Sequence, residues 1–208
     1  MSSKIKFVNA ISGGNTLDLW LDSQPFVQHL QPKIVTSYNK VSAGIHIIQV
    51  HSNSTSVQSA PLLDYEVQFD KDGQYTLVLV GDPKDPQNVH LSVYTDFGKP
   101  PGHGKTMIRI INASPEIKSA DLYDNNVKIL SNIMYDTPSE YVVVDAKKTT
   151  NFALTATGSL IVILGPINIK LDSNCIYTLI LYGNVTDSQN PLTILSTKDC
   201  YNALTMHL

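Results

Sequence analysis

Cys175 and Cys200 are the residues of this chain whose type and spacing point most directly to a chemical event. Cys175 opens the apolar run that ends at Gly183, and Cys200 follows Leu192-Thr193-Ile194-Leu195-Ser196. If these runs form a hairpin centred on the turn near Asp187-Ser188, so that Tyr182 faces Thr193, the two cysteines oppose each other across the ladder. An unstrained bridge there adds about 3 kcal/mol. A one-residue slip breaks the pairing, and a reducing compartment predicts two thiols. An intrachain bridge, an intermolecular bridge and two free thiols all stay open at this level.

Other spacings promise less. Gly104-Lys105-Thr106 ends like a phosphate-binding loop, but that pattern needs a glycine where Lys99 stands, Pro100 and Pro101 carry no N–H, and a strand pattern follows. Asp96-Phe97-Gly98 spells a kinase tripeptide without a glycine-rich or catalytic loop around it. The histidines His29, His46, His51, His90, His103 and His207 are scattered. His46 and His51 would point to opposite faces of one strand, so neither supports the other as a metal ligand, and surface positions are expected. No Gly-x-Ser-x-Gly elbow or cysteine–histidine signature is present. Asp70-Lys71-Asp72-Gly73 lacks the further oxygens of a calcium loop and reads as a hairpin turn. Asn53-Ser54-Thr55, Asn112-Ala113-Ser114 and Asn184-Val185-Thr186 match the glycosylation acceptor, which needs export to matter. No catalytic residue, cofactor or metal is expected. Asp18 and Asp121, each followed by an aromatic residue (Trp20, Tyr123), read as carboxylates that order local backbone. The two rings read as core anchors or, if exposed, as a platform for stacking a ligand.

The elements that must position these residues are set by an internal repeat. Lys4-Ile5-Lys6-Phe7-Val8-Asn9-Ala10 recurs as Met107-Ile108-Arg109-Ile110-Ile111-Asn112-Ala113, an offset of 103. The same offset carries Asp18-Leu19-Trp20 onto Asp121-Leu122-Tyr123, Tyr38 onto Tyr141 and Ala43 onto Ala146. At an offset of 102, Tyr75-Thr76-Leu77 through Gly81 falls on Tyr177-Thr178-Leu179 through Gly183. A repeat of that length is a domain rather than a solenoid unit. The expected division is a first repeat over 1–97, a Pro/Gly linker over 98–106, a second repeat over 107–199 and a tail over 200–208.

Within each copy the apolar period is two, as in Leu63-Asp64-Tyr65-Glu66-Val67-Gln68-Phe69 and Ile167-Asn168-Ile169-Lys170-Leu171. Leu77-Val78-Leu79-Val80 and Leu179-Ile180-Leu181 are apolar on both faces, which predicts central strands. No helical spacing is sustained, and turn residues recur at short intervals, including Asp82-Pro83-Lys84-Asp85-Pro86. Each copy therefore reads as an antiparallel β-sandwich of about seven strands, and the chain as all-β.

Val8-Asn9-Ala10 and Ile111-Asn112-Ala113-Ser114-Pro115, the Asp-Leu-aromatic triplets, Tyr38 and Tyr141, and the Tyr-Thr-Leu runs before a glycine resemble the bacterial family called domain of unknown function 4397. The resemblance spans residues 4–199. It implies tandem immunoglobulin-like or transthyretin-like β-sandwiches, a secreted or surface-anchored setting and no established catalytic activity.

The 208 residues include 15 basic and 18 acidic side chains, with Arg109 the single arginine, so a nucleic-acid surface is not expected. No apolar run is long enough to cross a bilayer, and Met1-Ser2-Ser3-Lys4-Ile5-Lys6 shows no signal-peptide stretch. The expectation is a non-enzymatic structural or interaction protein of a bacterial cell or spore surface, reached without a Sec signal, or else a cytoplasmic one. It would associate with itself as a fibre, coat or layer subunit, or with other surface proteins as an adhesion module. Tyr201, Leu204, Met206 and Leu208 give the tail an amphipathic character suited to docking on a partner. The alternative is a glycan- or peptide-binding module built on Trp20, Tyr123 and nearby loops.

Overall fold

A computed structural model describes residues 2–52, 60–82, 85–96 and 99–201; of residues 82 and 85–87 only the backbone is described. The chain divides into two compact units, Met1–Gly98 and Lys99–Leu208. Both are all-β, with no helix among the described residues.

The first unit contains β1 (Ser2–Asn9), β2 (Leu17–Leu21), β3 (Gln24–Leu30), β4 (Asn39–Ser42), β5 (Gly44–Ser52), β6 (Leu63–Phe69), β7 (Gln74–Asp82) and β8 (Asp85–Thr95). They form two four-stranded sheets, ordered β4-β1-β7-β8 and β3-β2-β5-β6. Ile5, Phe7, Leu77 and Leu79 of one sheet meet Leu17, Leu19, Ile48 and Val50 of the other to make the core. The second unit repeats the plan with β9 (Lys105–Asn112), β10 (Ser119–Asp124), β11 (Val127–Met134), β12 (Val142–Asp145), β13 (Phe152–Ala156), β14 (Val162–Ile167), β15 (Cys175–Tyr182) and β16 (Thr193–Cys200). Its sheets run β12-β9-β15-β16 and β11-β10-β13-β14, around Ile108, Ile110, Leu122, Leu154, Leu179 and Leu181.

Among the described residues each sandwich has eight strands rather than about seven. The four-residue edge strands β4 and β12 are too short for a period of two to stand out. Nor are the sheets wholly antiparallel. β1 pairs in parallel with β7, and β9 with β15, because each pair enters the sheet from the same end after the chain has passed through the opposite layer. The two-sided apolar strands β7 and β15 do lie centrally, and Val78, Val80 and Ile180 on the face away from the core are buried too.

The turn Asp70-Lys71-Asp72-Gly73 is not a hairpin, since β6 and β7 belong to different sheets. It is a crossing between layers, closed by Gly73 N–H donating to Asp70 O at 3.0 Å. The last two residues of the stretch expected as a linker are already in a strand. β9 begins at Lys105, Thr106 is buried, and its hydroxyl donates to Cys175 O at 2.7 Å. Gly102 N–H donates to Asn174 Oδ1 and Gly104 N–H to Ser173 Oγ, so the Gly-Lys-Thr stretch is the tethered entrance to a strand. Cys200 closes β16, which leaves the tail to start at Tyr201. The Asp82–Pro86 turn, Phe97, Gly98, Asn53-Ser54-Thr55, Leu204, Met206, His207 and Leu208 lie wholly or in part outside the described residues.

Candidate functional site

The residues that repeat between the copies are occupied by the fold. Asn9 is fully buried; its Nδ2 donates to Leu30 O and Asn15 O, and its Oδ1 accepts from Ile11 N–H. Asn112 does the same with Ile117 O, Ile133 O and Ser114 N–H. Asp18 and Asp121 each capture the amide of a residue held at positive φ in the next strand, His29 at 2.7 Å and Asn132 at 2.9 Å. Tyr75 and Tyr177 accept the N–H of Asp70 and Asp172, a tyrosine bonded back to upstream backbone as at the corner of immunoglobulin-like sandwiches. Gly81 and Gly183, which close the repeated run, both have positive φ, and a Cβ would collide with the backbone of β8 at Gly81 and with that of Asn190 and Pro191 at Gly183.

Electrostatics separates the two aspartates. Asp121 is buried, which by itself raises a carboxyl pKa, yet the Lys128 ammonium at 2.7 Å and the amides of Asn132 and Gly158 outweigh this and hold it below the ordinary value. Asp18 has no lysine, and its Oδ2 is buried without a hydrogen-bond partner among the described residues. At the corner beneath Tyr177, Lys170 and then Lys198 bring Asp172 down to about 2.

The structure places the sequence candidates as follows. Cys175 and Cys200 face each other in the β15–β16 ladder, with Tyr182 opposite Thr193, and their sulfurs are bonded. Trp20 is not an exposed platform: it lies on the face of β2 opposite Leu17 and Leu19, 6% exposed, edge-on to His51. Tyr123 is half-buried, with the Lys128 ammonium 5.6 Å from its ring centre. Tyr201 is half-buried and its N–H donates to Asn174 O. His46 and His51 are buried instead of solvated, on opposite faces of β5, because each ring packs on an aromatic neighbour, Phe69 and Trp20 respectively. Asn112 is buried, which removes it as a glycan acceptor. No three His, Cys, Asp or Glu side chains among the described residues come close enough to hold a metal ion. A cleft of about 210 Å³ in the first unit is lined by Ile11, Gly14, Asn15, Leu17, Ser52, Leu62 and Val89, below the usual range for a drug-sized ligand.

One constellation has no counterpart in the linear spacing. Asp22 and Ser23, both at positive φ, make the two-residue turn between β2 and β3. From it Asp22 Oδ1 accepts Ile47 N–H at 2.9 Å, and Oδ2 lies 2.7 Å from His46 Nδ1. His46 Nε2 lies 3.1 Å from Ser42 Oγ and 3.0 Å from Ser42 O. The Asp22 carboxyl is held below its usual value, first by the Ile47 amide and then, against its own desolvation, by His46. The second copy lacks the set: Asn125 and Asp145 stand at the offset positions, and Thr150 precedes the Phe152–Asp124 pair as His46 precedes the Ile48–Leu21 pair.

The sequence profile of a family described as Domain of unknown function (DUF4397) matches residues 3–123 and 106–204. No curated protein matches the chain. Among solved structures, the chain is similar to CBMbc (family CBM26) from Eubacterium rectale Amy13K in complex with maltoheptaose, at 9% identity, covering 97% of this chain and 99% of that one, with a TM-score of 0.29. It is also similar to a leucine-rich repeat protein from Bacteroides thetaiotaomicron, at 9% identity, 88% and 26% coverage and a TM-score of 0.22.

Proposed function

The chain belongs to the DUF4397 family, and from that premise we propose that it is a structural and interaction protein of a bacterial cell or spore surface, one that associates with its own kind. The observation that supports this reading most is the open edge of the second unit. Leu160 and Ile161, in the turn between β13 and β14, and Val162, which opens the edge strand β14, all expose apolar side chains, Leu160 to 84%. An edge strand flanked by exposed apolar side chains offers a surface on which a second chain can pack. Repetition supports the same reading, since the shared Asn, Asp, Tyr and Gly positions are spent on backbone.

The test is sedimentation and negative-stain microscopy of the purified chain. Wild-type protein should form discrete oligomers, filaments or sheets, and Ile161→Lys should shift it toward monomer by placing a charge in the exposed apolar patch beside β14. A monodisperse wild-type monomer at all concentrations overturns the reading. It would favour the binding module, which after the burial of Trp20 keeps Tyr123 as its ring.

A further inference from the structure

We propose that Ser42, His46 and Asp22 form a hydrolytic site in the first unit, with Ser42 as nucleophile, His46 as general base and Asp22 as positioning residue, acting on activated esters such as aryl esters. The proposal goes beyond the structural role and stands independently of it. Nucleophile and base are within hydrogen-bond reach, and the base is oriented through its other nitrogen by a carboxylate, which is the relationship that activates a serine. The degree of burial suits each role. Ser42 is exposed at the end of β4, His46 is 6% exposed, and Asp22 is 51% exposed but fixed by its turn and the Ile47 amide.

The two contacts of Nε2 serve the two protonation states of the ring. With Nδ1–H donating to Asp22, a neutral Nε2 accepts the Ser42 hydroxyl; once protonated, Nε2 donates to Ser42 O while Asp22 balances the charge. Asp22 is the charged group among the contacts described for His46, the others being Ser42 and Phe69. Apart from its chain neighbours, no atom of the described residues lies within 4 Å of where a Cβ on Gly44, two residues beyond Ser42, would stand, so the space beside it is open. The two ends of the chemistry, β4 and β5, are joined through Ala43 alone, which holds Ser42 and His46 in a fixed relation.

The step balances without an outside reagent other than water. Ser42 Oγ bonds to the acyl carbon as its proton passes to Nε2. The C–O bond to the leaving group breaks, and the aryloxide takes that proton. Water then attacks the acyl–serine ester, giving its proton to Nε2 and through it to Ser42 Oγ, and the carboxylic acid departs. Aryloxides are weak bases and leave readily, so such esters demand least of a proton donor to the leaving oxygen.

The full chain is incubated with p-nitrophenyl acetate and, separately, with a fluorophosphonate probe, and the modified residue is located by mass spectrometry. The probe should label Ser42, and Ser42→Ala should remove both that label and turnover. His46→Asn should slow labelling about 10²- to 10⁴-fold. Asp22→Asn, an exposed substitution expected to keep the fold, should slow it because the imidazolium loses its counter-charge, and Asp22→Glu, which keeps the carboxylate, should restore the rate in part. Matched thermal melts show that each variant is folded. An unlabelled Ser42 in folded wild type overturns the proposal, as does an Asp22→Asn chain with the wild-type rate.

Discussion

Asp121 ties three partners to one buried carboxylate: the Lys128 ammonium and the amides of Asn132 and Gly158. Replacing it with alanine leaves those amides without their acceptor and should lower unfolding free energy by about 2–3 kcal/mol at neutral pH, measured by urea denaturation. Because the folded carboxyl lies below its ordinary value, this contribution is present above about pH 4 and is lost as pH falls through the folded value, so wild type and variant should converge in acid. Asp18→Ala should cost less, since Asp18 holds one amide and carries a buried oxygen with no partner among the described residues. The structural role of the repeated aspartates was legible, because a residue present in both copies answers to the shared fold. Asp22, Ser42 and His46 were not. Their meeting depends on a turn with two positive φ values and on the β2–β5 register, neither of which leaves a local spacing to read.

The β15–β16 hairpin could be read down to its register, since two apolar runs flank a turn rich in Asp, Asn and Pro. The crossing at Asp70–Gly73 could not. Turn residues report that the chain reverses, not whether the next strand pairs or changes layer. The parallel pairing of β1 with β7 was equally hidden, since it joins segments far apart in sequence. The bonded cysteines close a loop with a separation of 25 residues, and reduction should lower stability by about 3 kcal/mol through the entropy regained by the unfolded chain. Thermal melts with and without reductant measure this. Thiol titration should find no reactive thiol before reduction and two after, and a disulfide-linked dimer on a non-reducing gel would contradict the intrachain bond.

For the whole molecule, tandem sandwiches were legible from the repeat offset, while the edges that remain open emerge only once strand order is known. If the tail docks on a second copy, removing residues 202–208, which spares Tyr201 and its backbone bonds to Asn174, should abolish assembly in the sedimentation experiment. Unaltered assembly would eliminate the tail and leave the β14 edge as the contact. The parallel strand pairs also bear on how the chain is made. Lys4 waits for Gln74, and Thr106 for Cys175, so a newly synthesised first strand of either unit spends roughly 4–14 s of translation without the neighbour that completes its sheet. Until then the first strand of each sandwich has only its antiparallel neighbour, β4 or β12, to pair with.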